Sequence, residues 1–301
     1  MLTIGSRGSP LAWAQTAWIR DRILDRFPGV EVSVKVIKTS ADKDQATSIR
    51  SGSSIGVFVK EIEQALLREE IDLAVHSMKD LPTQIPEGLK IAAVPEREDA
   101  RDVLISRKSQ KLAGLAPKSR IGTGSVRRQA QILAIRPDLK IVDIRGNIDT
   151  RLKKLKSATY DALILARAGL NRLGLQNEIS DILDFKAMLP APGQGALAIE
   201  TRTDDQRVES FAAVLNHKPS FAAVIAERVF LQRMGGGCNV PVAAYAHAIE
   251  DSISIEGLVA SPDGAALIRD SMQNKLEFSE EAAITLADLI LARGGRTILN
   301  I

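Results

Sequence analysis

Two adjacent arginines, Arg127 and Arg128, lie at the predicted start of a helix, a place where proteins often bind anions. They follow Ser125, a residue type that often caps a helix, and apolar residues continue at helical spacing to Ile135. The N-terminal end of a helix is partly positive and favours acidic side chains by roughly 0.3–1 kcal/mol. Two arginines there are unfavourable in isolation, which indicates an anion held by the guanidinium groups and the free N–H groups.

Three more arginines occupy matching loops. Arg145 and Arg151 flank the next predicted strand-to-helix loop, and Arg7 lies in the corresponding loop of the first part of the chain. Because the carboxyl ends of parallel strands open on one edge of a sheet, this pattern favours a shared anion site over scattered surface charge. The sequence has neither a dinucleotide fingerprint nor a phosphate-binding loop ending in Lys-Ser/Thr. We therefore expect the anion to be a carboxylate or a simple phosphate.

The stretch His76-Ser77-Met78-Lys79-Asp80 follows a predicted strand. Asp80 beside Lys79 is either a solvated ion pair of the loop or a carboxylate that nearby cations keep ionised. In the second case it could stabilise a developing positive charge. His76 has no second histidine or cysteine nearby in sequence, and we interpret it as a structural hydrogen-bonding residue.

The single cysteine, Cys238, follows three glycines. Lone cysteines are most often buried apolar residues, but a Gly-Gly-Gly turn indicates an exposed thiol, which suggests nucleophilic or covalent use. A cysteine hydrolase would need a histidine base, and neither His217 nor His247 lies in a recognisable hydrolase motif. One cysteine and three dispersed histidines also argue against a disulfide framework or a metal centre.

Length and composition narrow the class of protein. A chain of 301 residues predicts two or three domains, and its 45% hydrophobic and 26% charged residues are typical of a globular protein. We expect no membrane partner and a cytoplasmic location, because no long apolar run and no secretory signal is found. Residues 118–156 carry a net charge of +8, whereas the whole chain carries +3. This concentration favours one anionic ligand, and 4% aromatic residues argue against nucleic acid.

Strands alternate with helices, which predicts an α/β fold with parallel strand pairing. Strands are predicted at 2–5, 30–38, 71–75, 90–94, 103–106, 120–122, 140–144, 160–166, 196–200, 242–246 and 253–259. Helices are predicted from Pro10 onward and at 58–68, 126–135, 148–156, 217–233 and 280–293. Residues 4–15 and 121–131 share one pattern of strand, polar loop and capped helix. We therefore expect two similarly built α/β domains, a hinge at 190–195 with strand 196–200 returning to the first domain, and a smaller C-terminal α+β domain.

Nine stretches resemble the porphobilinogen deaminase family and cover the chain from end to end. They are RGSPLAWAQ, GVFVKEIEQALL, DLAVHSMKDLPT, EDARDVLISR, IGTGSVRRQAQ, IRGNIDTRL, AGLNRLGL, APGQGALAIE and GGGCNVPVAAYA. The resemblance implies two domains like the halves of a periplasmic binding protein, with the active site in the cleft between them, and a third domain. The boundaries that we expect are 1–97 with 194–214, 98–193, and 215–301.

The resemblance also implies the chemistry. A dipyrromethane cofactor, made from the enzyme's own substrate, would be linked to Cys238 as a thioether. Four porphobilinogen molecules would be joined head to tail with loss of ammonia, and linear hydroxymethylbilane would be released by hydrolysis for porphyrin and heme biosynthesis. Every pyrrole carries an acetate and a propionate, so carboxylates account for the arginines better than phosphate does. We expect a monomeric transferase.

Carried over by motif, Asp80 is the catalytic residue, which would hold pyrrole N–H groups and stabilise the cation left by ammonia loss. The residues expected to bind the cofactor are Cys238 (covalently), Ser77, Lys79, Asp80, Thr123, Ser125, Arg127, Arg128 and Arg151. The residues expected to bind substrate are Arg7, Ser9, Arg145 and Arg172. No metal is expected.

Two departures limit this transfer. Family members often have Gly-Gly-Lys-Gly where this chain has Ser53-Ser54-Ile55-Gly56, so no role of a loop lysine is carried over. They also often have Thr-x-Gly-Asp after the second strand, where this chain has Thr39-Ser40-Ala41-Asp42, so Asp42 is left unassigned. Two rival functions are a non-catalytic binding protein for a small polyanion and a nucleic-acid binder that uses residues 118–156. Both predict a protein with the mass of the bare chain, whereas a covalent dipyrromethane makes it heavier.

Overall fold

The computed structural model describes residues 1–37, 59–236 and 240–301. They form two compact units, one of Met1–Glu98 with Ala196–Phe221 and one of Asp99–Gly195 with Ala222–Ile301. Asp42, Ile55 and Cys238 lie outside the described residues, as do one end of the predicted strand 30–38 and the first residue of the predicted helix 58–68.

Thirteen strands and nine helices are found in the described parts of the chain. The strands are β1 (Leu2–Ser6), β2 (Val32–Val36), β3 (Leu73–Ser77), β4 (Leu89–Ala93), β5 (Asp102–Ser106), β6 (Arg120–Gly122), β7 (Lys140–Val142), β8 (Ala162–Ala166), β9 (Asp181–Ile182), β10 (Leu197–Arg202), β11 (Val242–Ile249), β12 (Ser252–Ala260) and β13 (Leu267–Lys275). The helices are α1 (Pro10–Arg26), α2 (Lys60–Leu67), α3 (Val126–Ile135), α4 (Ile148–Lys156), α5 (Arg167–Arg172), α6 (Gln206–Ala213), α7 (Lys218–Arg233), α8 (Ser279–Ile290) and α9 (Arg296–Leu299).

The first unit is built on a five-stranded sheet with the order β2-β1-β3-β10-β4. Strands β1, β2 and β3 are parallel, and β10 runs antiparallel to both of its neighbours. Apolar residues of α1 and α6 pack on one face of the sheet, and those of α2 pack in a separate cluster. Strand β10 joins the first sheet although all the strands of the second five-stranded sheet, β5 to β9, lie between β4 and β10 in sequence. The predicted return of the chain to the first domain is therefore confirmed.

The second unit contains a sheet of the same design, with the order β7-β6-β8-β5-β9. Strands β6, β7 and β8 are parallel, and β5 is the antiparallel strand between β8 and β9. Ile132 of α3 belongs to one apolar cluster, whereas Leu152 and Leu155 of α4 belong to another. The expected pair of similarly built α/β domains is confirmed by this shared strand order.

The rest of the second unit is a three-stranded antiparallel sheet, β11-β12-β13, covered by α7 and α8. Phe230 of α7 is fully buried in its core. Ala130 of α3 shares a smaller apolar cluster with Leu258 of β12, which joins this sheet to the neighbouring five-stranded one. The smaller C-terminal α+β part is therefore confirmed.

Local sequence patterns predicted most of the helices and strands, but they did not predict the direction of every strand pair or the polar strand β13. Helices α3 and α4 begin and end where predicted, because Ser125 and Asn147 cap them through the N–H groups of Arg128 and Thr150. The predicted parallel pairing is wrong for the pairs that β5 and β10 make, because neither strand reaches its neighbours through the helical crossover that parallel pairing requires. Strand β13 was not predicted, because its sequence, LIRDSMQNK, is mostly polar and largely exposed. No helix in the described ranges is long and apolar enough to cross a membrane.

Candidate functional site

In the first unit, the predicted site residues follow the carboxyl ends of two adjacent parallel strands. Arg7 and Ser9 come after β1, and Ser77 ends β3, directly before a single 3-10 turn, Met78–Asp80. Because β1 pairs with β3, these loops open on the same edge of the sheet. The Asp80 side chain is exposed there, whereas Met78 is buried and anchors the turn. The structure thus presents the carboxylate to solvent on a short, fixed turn.

Hydrogen bonds from helix α1 hold this edge in place. The Ser9 hydroxyl accepts the N–H of Ala12 at 3.2 Å and so caps the helix, with Pro10 at its first position. The Gln15 amide donates to the Ser77 hydroxyl at 2.8 Å. The N–H of Met78 also donates to the carbonyl of Ala196, which precedes β10. The position of Asp80 is therefore set by both α1 and β10.

Behind this edge lies a buried cluster of ionisable groups that the sequence did not reveal. His76 Nε2 lies 2.9 Å from Glu200 Oε2 on β10, and both residues are buried. Burial and the charge of Glu200 raise the pKa of Glu63 to about 6, although His76 acts in the opposite direction. The interpretation of His76 as a structural hydrogen-bonding residue is confirmed.

In the second unit, Thr123 and Ser125 lie between β6 and α3. The Thr123 hydroxyl accepts the N–H of Ser125 at 3.2 Å, and the Ser125 hydroxyl accepts the N–H of Arg128 at 3.4 Å. Thr123 is buried, and Gly124 between them is exposed. The two hydroxyls therefore shape the loop itself and fix the first turn of α3.

Arg127 and Arg128 are buried and bind the fully buried carboxylate of Asp102. Arg127 Nη2 donates to Asp102 Oδ2 at 2.8 Å, and Arg128 Nη2 donates to Oδ1 at 2.7 Å. Burial alone would raise the pKa of Asp102, but the two guanidinium groups hold it well below the ordinary range of an aspartate. The same burial lowers the pKa of Arg127. Two arginines against one aspartate leave this cluster with a net charge of +1.

The sequence indicates an anion held by these two guanidinium groups, and in the structure both meet a carboxylate of the protein itself. Their first counter-ion is Asp102, and each guanidinium also donates to a backbone carbonyl, of Leu189 for Arg127 and of Ile164 for Arg128. Arginine at the start of α3 is tolerated because a carboxylate of the neighbouring strand β5 meets it. No local signal could have shown this, since Asp102 lies 25 and 26 residues away in sequence.

The other predicted arginines lie near the carboxyl ends of β7 and β8, which flank β6 in the parallel part of the sheet. Arg145 is exposed and pairs with Asp143 at 3.1 Å. Arg151 Nε donates to the carbonyl of Gly146, and Arg172 Nη2 donates to that of Gly195. The structure therefore places the predicted arginines of this unit after the carboxyl ends of its three parallel strands. No group of three or more potential metal ligands is found among the described residues.

Each unit thus gathers polar or cationic side chains at the carboxyl edge of its own mixed sheet, and the second unit also holds a cluster with net positive charge. Fold and site together define an α/β protein with arginines clustered after the parallel strands of a mixed sheet.

The chain belongs to the porphobilinogen deaminase family. Residues 2–210 match the family model "Porphobilinogen deaminase, dipyromethane cofactor binding domain", and residues 221–292 match the model of the C-terminal domain. The porphobilinogen deaminase of Thermus thermophilus is 48% identical over 99% of this chain and 98% of its own length. That of Geobacter metallireducens is 47% identical over 99% and 93%.

Solved structures show a more distant likeness. A putative methionine-binding lipoprotein from Bacillus subtilis overlaps 72% of this chain and 90% of its own, with 14% identity and a TM-score of 0.42.

Proposed function

We propose that this chain is a hydroxymethylbilane synthase. It would join four porphobilinogen molecules head to tail on a dipyrromethane primer and release linear hydroxymethylbilane by hydrolysis, so that four porphobilinogen and one water yield one product and four ammonia. The observation that carries the proposal is the gathering of arginines after three adjacent parallel strands, within the region that matches the cofactor-binding domain. Such a set of cations suits a ligand that gains carboxylates with every unit added.

The residues present fit the cofactor. The cluster of Arg127, Arg128 and Asp102 has one positive charge in excess, and Lys79 adds a further cation in the first unit. Dipyrromethane would supply the growing end of the chain and carries acetate and propionate groups. We propose that Ser77, Lys79, Asp80, Thr123, Ser125, Arg127, Arg128 and Arg151 hold it and that Cys238 binds it covalently.

Asp80 is proposed as the catalytic carboxylate. It is exposed at the end of a short turn whose backbone is anchored to Ala196. A fixed carboxylate at that place accepts hydrogen bonds from pyrrole N–H groups. It also stabilises the positive charge that develops on a substrate unit as ammonia leaves, because a preorganised charge needs no reorganisation.

The substrate would be held by Arg7, Ser9, Arg145 and Arg172. Arg145 is the most exposed of these arginines and lies in the loop after β7. Porphobilinogen carries two carboxylates, which guanidinium groups bind through paired hydrogen bonds.

The cellular setting belongs to the same proposal. We propose a cytoplasmic monomer with porphobilinogen as its small-molecule partner and no nucleic acid or membrane partner. The proposed domains are 1–97 with 194–214, 98–193, and 215–301. Light scattering of the purified protein tests the monomer, and limited proteolysis tests the boundaries.

Intact mass spectrometry combined with turnover of porphobilinogen tests the function. The parent protein should be heavier than its sequence by one dipyrromethane, and Cys238→Ser should have the bare mass and no turnover. Asp80→Asn should keep the extra mass but lose about 10²–10³ in kcat, because the charge is removed while the shape is kept. Asp80→Glu should retain more activity, and Asp21→Asn, an exposed aspartate of α1, is the control. A bare parent mass would instead favour a non-catalytic binding protein, and an active Cys238→Ser enzyme would refute covalent attachment.

A further inference from the structure

Asp102 is the centre of a buried network that reaches well beyond the two arginines. Its Oδ1 accepts hydrogen bonds from Arg128 Nε at 3.1 Å and from Gln194 Nε2 at 2.9 Å, in addition to the contacts with the guanidinium Nη2 atoms. The Gln194 amide also donates to the carbonyl of Ala100 at 2.7 Å. Asp102, at the start of β5, thus contacts the first turn of α3 and Gln194 of the predicted hinge at 190–195.

The network continues from Gln194 to helix α7. The N–H of the preceding residue, Gly193, donates to Glu227 Oε2 at 2.6 Å, and Glu227 Oε1 accepts the N–H of Ala246 on β11 at 2.7 Å. Glu227 is fully buried. Gly193 has a φ of 75°, a conformation that favours glycine and turns its N–H towards the carboxylate. Helix α7 ends at Arg233, five residues before Cys238.

We propose that Asp102, Gln194 and Glu227 act together as positioning residues, which hold the arginine pair in a fixed place relative to the helix that leads to Cys238. The inference rests on the proposed function, because the pair matters only if it binds carboxylates of the attached chain. Since the network spans β5, α3, α7 and β11, a shift of α7 would be transmitted to the arginines through Gly193 and Gln194.

The charge of the cluster of Arg127, Arg128 and Asp102 supports this role. A buried carboxylate needs one cation to balance it, yet Asp102 meets two. An uncompensated buried charge is strongly unfavourable unless a ligand completes it, so the surplus positive charge favours an anionic ligand at this place. Asp102 then has two effects on that ligand: it orients both guanidinium groups, and it limits their combined charge to +1.

The test compares Asp102→Asn and Glu227→Gln with the parent and with Asp288→Asn, an exposed aspartate of the same unit that pairs with Arg233. Asp102→Asn should lower kcat by about tenfold or more or reduce the cofactor mass in the folded protein. It should also make KM depend more steeply on ionic strength, because the cluster then carries +2. Glu227→Gln should lower kcat without this change, since it leaves the charge of the arginine pair unaltered. Asp288→Asn should match the parent.

The double variant decides whether the residues form one network. If they act together, Asp102→Asn with Glu227→Gln should lose little more than the worse single variant, whereas independent effects multiply. Multiplied losses would overturn the inference, as would a fully loaded Asp102→Asn enzyme with the parent's kcat and salt dependence. If Asp102→Asn does not fold, Gln194→Met removes the link to Asp102 without a change of charge, and the parent's kcat in that variant also overturns it. Failure of the proposed function would appear in the parent itself, as a bare mass and no turnover.

Discussion

At the scale of single residues, the ionisation of Glu63 affects stability. Its pKa of about 6 lies above the ordinary 4.5, because it is buried and lies near Glu200. A carboxyl group whose pKa is raised on folding stabilises the protein below its unfolded pKa, and this contribution is lost as pH rises through the folded value. Stability should therefore fall between about pH 4.5 and pH 6 on account of this residue.

Glu63→Gln removes the cost of keeping an ionised carboxylate in the protein interior at high pH. We expect the variant to be more stable than the parent by about 1–2 kcal/mol at pH 8 and to show no gain at pH 4. Urea unfolding at both values measures the difference. Glu70→Gln is the control, because the ion pair with Lys35 lowers the pKa of Glu70, and its loss should not stabilise the protein. An equal effect of Glu63→Gln at both pH values would contradict the assignment.

At the scale of secondary-structure elements, a feature can be predicted from the sequence when the residues that cause it are close together in the chain. The caps Ser9, Ser125 and Asn147 each act on a backbone N–H three residues later, so the starts of α1, α3 and α4 could be predicted. The position of β10 followed from the hinge before it. The partner of Arg127 and Arg128 could not be found, because Asp102 reaches them only after β5 has inserted beside β8. The candidate site residues were identified from sequence motifs, whereas their burial and their hydrogen-bond partners could be seen only in the folded structure.

Because Arg127 and Arg128 are buried, a substitution of either should affect the stability of the protein where α3 meets β5. Arg128→Leu removes three hydrogen bonds to Asp102 and Ile164 and leaves the buried carboxylate with one guanidinium partner. We expect it to lower the free energy of unfolding by about 3 kcal/mol, because buried oxygens of Asp102 and Ile164 lose their hydrogen-bond donors. Arg145→Leu is the matched control, because Arg145 is exposed, and it should change stability by no more than about 0.5 kcal/mol. Equal stability of the two variants in urea unfolding would show that the Asp102 cluster contributes little to the fold.

At the scale of the whole molecule, charge is concentrated where the proposed ligand binds. Residues 118–156 carry +8 in a chain whose total is +3, so the remaining residues are net negative. Attraction of an anionic substrate to such a region is screened as ionic strength rises, with a Debye length of about 30 Å at 0.01 M and about 3 Å at 1 M. We expect KM for porphobilinogen to rise over this range while kcat changes little, because contacts made at hydrogen-bond distance in the bound state are screened much less than the long-range attraction. Arg145→Leu should flatten the rise, since it removes an exposed cation of the segment, whereas Arg26→Leu, at the far end of α1, should not. A KM that stays constant across these salt concentrations in the parent enzyme would mean that the basic segment does not attract the substrate.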